Sequence, residues 1–240
     1  MKKIIAMLLT LVMVLSFAAC ATQQAPATEP VTDPVVESNV MTYEEYMAAE
    51  LNTEVVIETN VQATQSWWDN KITVYCQDEV GAYFLYELAC SEEDAAKLVP
   101  GTRIRVTGFK AEWGGEIEIM DGTFEFVEGA DLTYVGAEDF TALLGTEDLV
   151  NHQNKLAAFN GLTVERITYK NDEPGDDIYL DVSLNGETYV FCVERYLTGP
   201  ETEVYTTVSA LNVGDVVNVE GFLYWYEGPN PHITWIGLAE

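Results

Sequence analysis

Apolar and polar residues alternate along most of the chain after residue 53, and this alternation predicts a mainly β protein. In residues 54–65 the odd positions are mostly apolar, as at Ile57 and Val61, whereas Glu58 and Gln62 occupy even positions. A strand with one buried face has this period of two. The same pattern predicts further strands at 72–76, 82–88, 102–112 and from residue 116 onward.

Two short helices are predicted around these strands, because each segment begins with a capping residue. In TYEEYMAAE (42–50), Thr42 precedes Glu45 by three residues, which is a capping-box arrangement. In SEEDAAKL (91–98), Ser91 is placed to cap the first turn. After the leading helix, the order of elements is therefore strand, strand, strand, helix, strand, strand.

The chain contains an internal repeat. PGTRIRVTGF (100–109) aligns without gaps with VGDVVNVEGF (213–222), so that Gly108 and Phe109 match Gly221 and Phe222. A glycine inside a strand can mark a sharp bend or a bulge. For the second copy the sequence predicts helical lead-ins at 136–145 and 146–158, strands near 159–169, 178–184, 189–193, 215–225 and 231–238, and a crossover of unassigned structure at 196–211.

Both copies have the strand order of the OB-fold, a small five-stranded Greek-key barrel. The sequence thus predicts two OB-like barrels with short helices, the first domain at 41–130 and the second at 131–240. In such barrels the ligand usually meets the face of strands two and three. The loop joining strands one and two and the loop joining strands four and five flank that face.

The N-terminus, MKKIIAMLLTLVMVLSFAAC, has the pattern of a secretory signal. Lys2 and Lys3 precede an apolar run at 4–17 that is short for a membrane span. FAAC resembles the lipobox of bacterial lipoproteins, although Phe17 departs from its usual leucine. The resemblance implies that residues 1–19 are removed and Cys20 is lipidated. The alternative is an ordinary signal peptide with a chance cysteine. Residues 20–40, rich in Pro, Thr and Ala, are predicted to form a disordered tether.

Taken together, the lipobox, the acidic linker and the two V-x-V-x-G strands resemble those of Firmicutes-type lipoproteins with tandem OB-fold-like domains. The resemblance covers nearly the whole chain. It implies a protein held at the extracytoplasmic face of the cell membrane through its lipid anchor, acting there as a binding module. It implies no particular ligand, because one fold serves many functions.

The chain is strongly acidic, with 40 acidic and 11 basic residues and a formal charge of −29. Such a surface favours solubility or a preference for divalent or basic partners. The charge argues against a nucleic-acid partner, because phosphates are bound through Lys and Arg.

No catalytic residue, cofactor or metal site is predicted. The two histidines, His152 and His232, lie in different copies and are interpreted as surface residues of loops. No catalytic motif with a nucleophile, zinc ligands or a phosphate-binding loop is found in the sequence. The sequence therefore does not indicate an enzyme.

Three cysteines remain beyond Cys20. Cys76, Cys90 and Cys192 are predicted to be buried free thiols, with a Cys76–Cys90 disulfide as the alternative.

The acidic turn NDEPGDD (171–177) is a candidate calcium loop. The turn lacks the spacing of a calcium-binding loop, and its Pro and Gly favour a solvated hairpin turn.

Aromatic residues gather in the loops where OB-folds meet their ligands. Parity within the first strand predicts that Trp67 plugs the barrel and that Trp68 is a contact surface. Exposed aromatic rings could stack on sugars, bases or peptides. The candidate ligand-binding residues are Trp67, Trp68, Tyr75, Trp113, Tyr224, Trp225 and Tyr226.

Three functions remain open from the sequence. The first is a non-catalytic module that binds a glycan, a peptide or a protein through these aromatic loops. The second is a structural or assembly subunit of an envelope protein complex. The third, which the charge disfavours, is a nucleic-acid-binding OB protein.

Overall fold

A computed structural model describes residues 39–239. The predicted signal peptide, Cys20 and nearly all of the predicted tether lie outside the described residues, so lipidation stays a prediction. Residues from Asn39 onward form one compact unit. In this part of the chain no helix has both the length and the apolar character needed to cross a membrane.

The first barrel is closed and has the strand order β1-β2-β3-β5-β4. Strand β3 runs parallel to β5, and the other neighbouring strands are antiparallel. This is the order of the OB-fold, so the predicted fold class is confirmed. The elements are α1 (Tyr43–Ala48), β1 (Glu54–Thr64), β2 (Lys71–Gln77), β3 (Ala82–Ala89), α2 (Glu92–Ala95), β4 (Arg103–Trp113) and β5 (Glu116–Phe126).

Both helices of the first barrel begin where the sequence predicts. The side chains of Thr42 and Glu45 form the reciprocal capping box, and Ser91 accepts a hydrogen bond from the backbone N–H of Asp94. A side chain of β4 supplies hydrogen bonds to the backbone carbonyls at the C-terminal end of α1. There the Lys110 ammonium donates to backbone oxygens near the end of the helix, including that of Met47 at 2.7 Å, which satisfies carbonyls that a helix end leaves unpaired.

The second copy repeats this topology. Its strands close in the order β7-β8-β9-β11-β10, with β10 pairing back to β7 and β9 running parallel to β11. A short strand β6 adds beside β7. The elements are β6 (Glu138–Asp139), β7 (Leu156–Tyr169), β8 (Ile178–Leu184), β9 (Glu187–Val193), α3 (Glu203–Ala210), β10 (Val216–Phe222) and β11 (His232–Leu238).

The helical lead-ins predicted for the second copy are wrong in detail. Residues Thr141–Leu143 and Glu147–His152 form short 3-10 helices, and β7 has already begun at Leu156. Neither 3-10 segment has a side-chain cap, and without one a short helix has little to hold its first turn. The crossover that the sequence left unassigned contains α3, which Thr202 caps.

The two repeat glycines lie at irregularities of the strands, as predicted for Gly108. The register of β4 on β5 shifts between Thr107 and Phe109, and that of β10 on β11 shifts between Glu220 and Gly221. A Cβ on Gly108 would lie 2.6 Å from the Ile119 side chain. The absence of a side chain therefore allows the strands to approach closely at the bulge.

The two barrels share an aromatic and polar interface. Tyr75 and Phe84 of the first barrel pack with Leu156 and Phe222 of the second. The Tyr75 and Phe222 rings stack at 4.5 Å between centroids. Hydrogen bonds surround this contact, including one from the Leu156 N–H to the Gln77 side chain at 2.8 Å. Each barrel also has its own apolar core.

Candidate ligand-binding groove

A groove of about 1260 Å³ runs along both barrels. The outer faces of β2, β3 and β5 form its first wall, and β8, β9 and the loop before β11 form its second. The first wall carries the aromatic residues Trp68, Phe84, Tyr86 and Trp113. The second carries Tyr179, Tyr196, Tyr224 and Tyr226. The first wall coincides with the face at which OB-folds usually meet their ligands.

Trp68 lies at the mouth of this groove, on a tight turn. Its backbone exchanges hydrogen bonds with Lys71, and the two residues between them, Asp69 and Asn70, have φ of 48° and 60°. Such positive φ values are typical of a two-residue hairpin turn. The turn holds the Trp68 side chain outward, where 63% of its surface is exposed.

Trp67 points the other way. Its side chain packs against the core of the first barrel, and its indole N–H donates to the backbone oxygen of Cys90 at 2.9 Å. It does not line the groove. The packing agrees with the plug that strand parity predicts. Of the two adjacent tryptophans, only Trp68 is placed to contact a ligand in the groove.

Trp113 ends β4 beside a glycine turn. Gly114 and Gly115 have φ of 62° and 95°, which favour glycine. A Cβ on Gly114 would lie 2.7 Å from the Tyr226 ring, so this ring sits directly against the turn. Trp113 is 63% exposed and lines the same groove as Trp68.

The aromatic residues after β10 differ in their surroundings. The Tyr224 ring stacks on His232 at 4.4 Å and meets Phe84 edge-on at 5.1 Å. Tyr226 is half exposed in the groove. Trp225 packs against the core of the second barrel, and its side chain does not line the groove.

Tyr75 is not an open contact residue, and this corrects the sequence-based prediction. It is 1% exposed because the second barrel covers the outer side of β2 at this point. Its hydroxyl hydrogen-bonds His232 Nδ1 at 2.6 Å and receives a bond from Gln65. Tyr75 therefore joins the barrels and lies behind the groove.

The sequence suggests that His232 is a surface residue, and the structure shows that it is buried. It begins β11 and is buried between Tyr75 and Tyr224. Burial lowers the pKa of His232 to about 3, so the imidazole is neutral. His152 is half-buried against the Phe140 ring, at 4.6 Å between centroids.

Carboxylates give the groove an acidic character. Glu87 pairs with Lys71 at 2.6 Å, and Asp177 pairs with Lys170 at 2.7 Å. Burial, with a smaller effect of nearby Asp177, raises the pKa of Glu194 to about 7. Among residues 39–239 the other groove carboxylates have no ion-pair partner, and the groove is lined by more carboxylates than ammonium groups.

Sequence reasoning missed several groove residues. Phe84 and Tyr86 were not singled out, although they alternate with the inward-facing Tyr83 and Leu85 in β3. That alternation was a usable signal for outward aromatic residues. Tyr179 and Tyr196 had no comparable signal, because their place in the groove depends on how the second barrel packs beside the first.

The cysteines and the acidic turn take structural roles. Cys76, Cys90 and Cys192 are buried free thiols, as predicted. In the turn 171–177, Asp177 accepts from Lys170 and from the Arg195 N–H. Across residues 39–239, no three His, Cys, Asp or Glu side chains are grouped so as to hold a metal ion.

No protein-family model and no curated protein matches the chain. Among solved structures, the p204 HINb domain is 10% identical, with 80% of this chain and 100% of that chain covered and a TM-score of 0.34. The Ifi202 HINa domain in complex with 20bp dsDNA is 11% identical, with coverage of 78% and 100% and a TM-score of 0.37. Asparaginyl-tRNA synthetase from Pyrococcus horikoshii, complexed with asparaginyl-adenylate, is 19% identical. There the match covers 36% of this chain but 19% of the synthetase, at a TM-score of 0.29. Likeness at this level concerns the fold alone.

The expectation that the charge disfavours nucleic acid as a partner is contradicted by one of these findings. It rested on the formal charge of −29, yet a domain of similar fold is solved in complex with dsDNA. A net charge sums over the whole surface and does not describe one groove. The expectation is withdrawn, and nucleic acid belongs among the ligand classes that an experiment must include.

Proposed function

We propose that the protein is a non-catalytic binding module whose ligand lies in the aromatic groove along the two barrels. The observation that carries the proposal is the continuity of the groove, since one cleft is lined by aromatic side chains from both repeats. Ligand sites are usually concave and largely apolar, with a few placed polar groups. The groove has this character.

The size and shape of the groove favour an extended ligand. Its volume of about 1260 Å³ exceeds the roughly 300–1,000 Å³ of sites for compact small molecules. A glycan or a peptide segment is an extended ligand of this kind, and Trp68 and Trp113 both line the groove. Both indoles are mostly exposed, and covering such large apolar rings is favourable.

We also propose that this module acts at the extracytoplasmic face of the cell membrane, tethered through lipidated Cys20. Support comes from the sequence FAAC after a basic and apolar start. Two acyl chains on one residue would give stable anchoring, where a single chain would not.

Replacement of Trp68 and of Trp113 by Ala tests the groove. Each variant is expected to weaken ligand binding about tenfold, because each loses one stacking surface. The thermal unfolding midpoint should change little, since both side chains are exposed. Purified protein would be screened against arrays of glycans, peptides, single-stranded DNA and duplex DNA. Affinities for any hit would then be measured by calorimetry.

Trp235→Ala is the matched control. Trp235 is 49% exposed on β11 but does not line the groove, so this variant should bind as the wild type does. A hit that both groove variants bind with unchanged affinity would overturn the proposal. Equal losses in all three variants would also overturn it, because the effect would then not be local to the groove.

A further inference from the structure

Glu118 is an unpaired carboxylate within the groove. It lies on β5 and faces outward, opposite in direction to the core residue Ile119. Only 7% of its surface is exposed, yet it lines the groove. Burial raises the pKa of Glu118, with no hydrogen bond to oppose the effect. Within residues 39–239, its side chain has no hydrogen-bond or ion-pair partner.

The other acidic residues of the groove differ from Glu118 in this respect. Glu87 and Asp177 each pair with a lysine, and Glu194 accepts the backbone N–H groups of Tyr196 and Leu197. Glu112 is exposed to water. Burying a charge without a partner is costly, and buried carboxylates are normally paired. Within residues 39–239 the protein supplies no partner for Glu118, so its carboxylate can be paired only by water or by a ligand in the groove.

Aromatic residues line the same groove as this carboxylate. Phe84 is the registered neighbour of Glu118 on the adjacent strand. Burial raises the pKa of the Tyr86 and Tyr224 hydroxyls, and the charge of Glu118 adds to the effect. The Phe84 ring lies 5.1 Å from Tyr224 and 6.4 Å from Tyr86, centroid to centroid. Trp113 and Tyr226 close the same end of the groove.

Resting on the proposed function, we propose that this end of the groove binds an organic cation, an alkylammonium or guanidinium group, with Glu118 as its counter-ion and the rings around it. Aromatic faces attract cations, and desolvation strengthens this attraction. A hydrated metal ion fits less well, because it needs several oxygen ligands and the surrounding rings offer few. The cation could be a free quaternary amine or a basic side chain of a peptide.

Choline provides a direct probe, because 3,3-dimethylbutan-1-ol has the same shape without the charge. Calorimetric titration of the purified protein with choline chloride is expected to show binding at least tenfold tighter than titration with the neutral alcohol. Glu118→Gln should remove most of this preference. A short peptide carrying one trimethyllysine forms the second arm. Binding of the peptide but not of choline would identify a peptide side chain as the source of the cation.

Glu125→Gln is the matched control, since Glu125 is exposed on the same strand and lies away from the groove. It changes the net charge by the same amount and should leave binding unchanged. The unfolding midpoint of Glu118→Gln should not fall, because the neutral side chain is easier to bury. That measurement separates loss of binding from loss of folding.

Two outcomes would overturn the inference. One is equal affinity for choline and its neutral analogue, and the other is undiminished cation binding by Glu118→Gln. After either result the proposed binding function of the groove is still supported if an array ligand depends on Trp68 and Trp113. If no array ligand depends on those tryptophans while choline binding still requires Glu118, the cation site is supported and the proposal of an extended ligand in the groove is wrong.

Discussion

Phe222→Ala is expected to lower the free energy of unfolding by about 3–5 kcal/mol, the usual range for a large aromatic side chain removed from a core. Phe222 is buried and stacks on Tyr75 across the contact between the barrels. Its loss would leave a cavity among Phe84 and Leu156. Urea unfolding followed by circular dichroism would measure the change.

The repeat supplies a control at the matching position. Phe109 occupies the place of Phe222 in the first copy, but it is 41% exposed. Phe109→Ala should therefore cost less than about 1 kcal/mol. Similar losses in the two variants would contradict the interface, because they would show that the first barrel does not bury Phe222 and that Phe222 is no better covered than Phe109.

Glu116→Gln is expected to flatten the dependence of stability on pH. Glu116 is fully buried at the contact between the barrels, where it accepts the Trp225 N–H at 2.7 Å. Burial raises its pKa from 4.5 to about 8. Its Oε1 and Asn154 Oδ1 have no partner in the described part of the chain. A proton on Glu116 would provide a donor there.

The sign follows from proton linkage. A carboxyl with a raised pKa in the folded state contributes stability that is fully present below its unfolded pKa. This contribution is lost as the pH rises from 4.5 through about 8. At about 1.4 kcal/mol per pH unit the loss is on the order of 5 kcal/mol. Urea unfolding of wild type and variant between about pH 5 and pH 9 would measure it.

Other groups with shifted pKa values set the background for this measurement. Glu194, with its pKa raised to about 7, adds a slope of the same sign, so the variant should keep part of the wild-type slope. His232 acts in the opposite direction. Its pKa falls from 6.5 to about 3, and its contribution is present above 6.5 and lost as the pH falls through 3. An unchanged slope in Glu116→Gln would show that Glu116 is not the buried acid.

Local sequence signals were enough for most of the fold. Thr42 and Ser91 cap their helices, and Gly108 and Gly221 lie at irregularities of paired strands, because each effect depends on residues close in the chain. The alternation in β1 correctly marks Val55, Ile57 and Val61 as core residues. It fails after the register shift that follows Val61, where Ala63 packs at the contact between the barrels. It also misses Asn60 and Gln62, which are buried at even positions.

The groove was only partly predictable, for a physical reason. Trp68 and Trp113 belong to loops whose position in an OB barrel is fixed by strand order, so sequence reasoning found them. Tyr75 and His232 depend on what covers the outside of a barrel. That information resides in the packing of two repeats, and no periodicity within one strand records it. The sequence does not distinguish Glu118 from the many other carboxylates, because only its burial in the structure sets it apart.

Because each repeat supplies one wall, the groove has no counterpart in a single barrel. A single barrel separated from its repeat would keep the aromatic residues of one wall and would lack the facing wall. Equivalent positions of the two repeats also meet different surroundings, because phenylalanine is buried against the other barrel at 222 and is 41% exposed at 109.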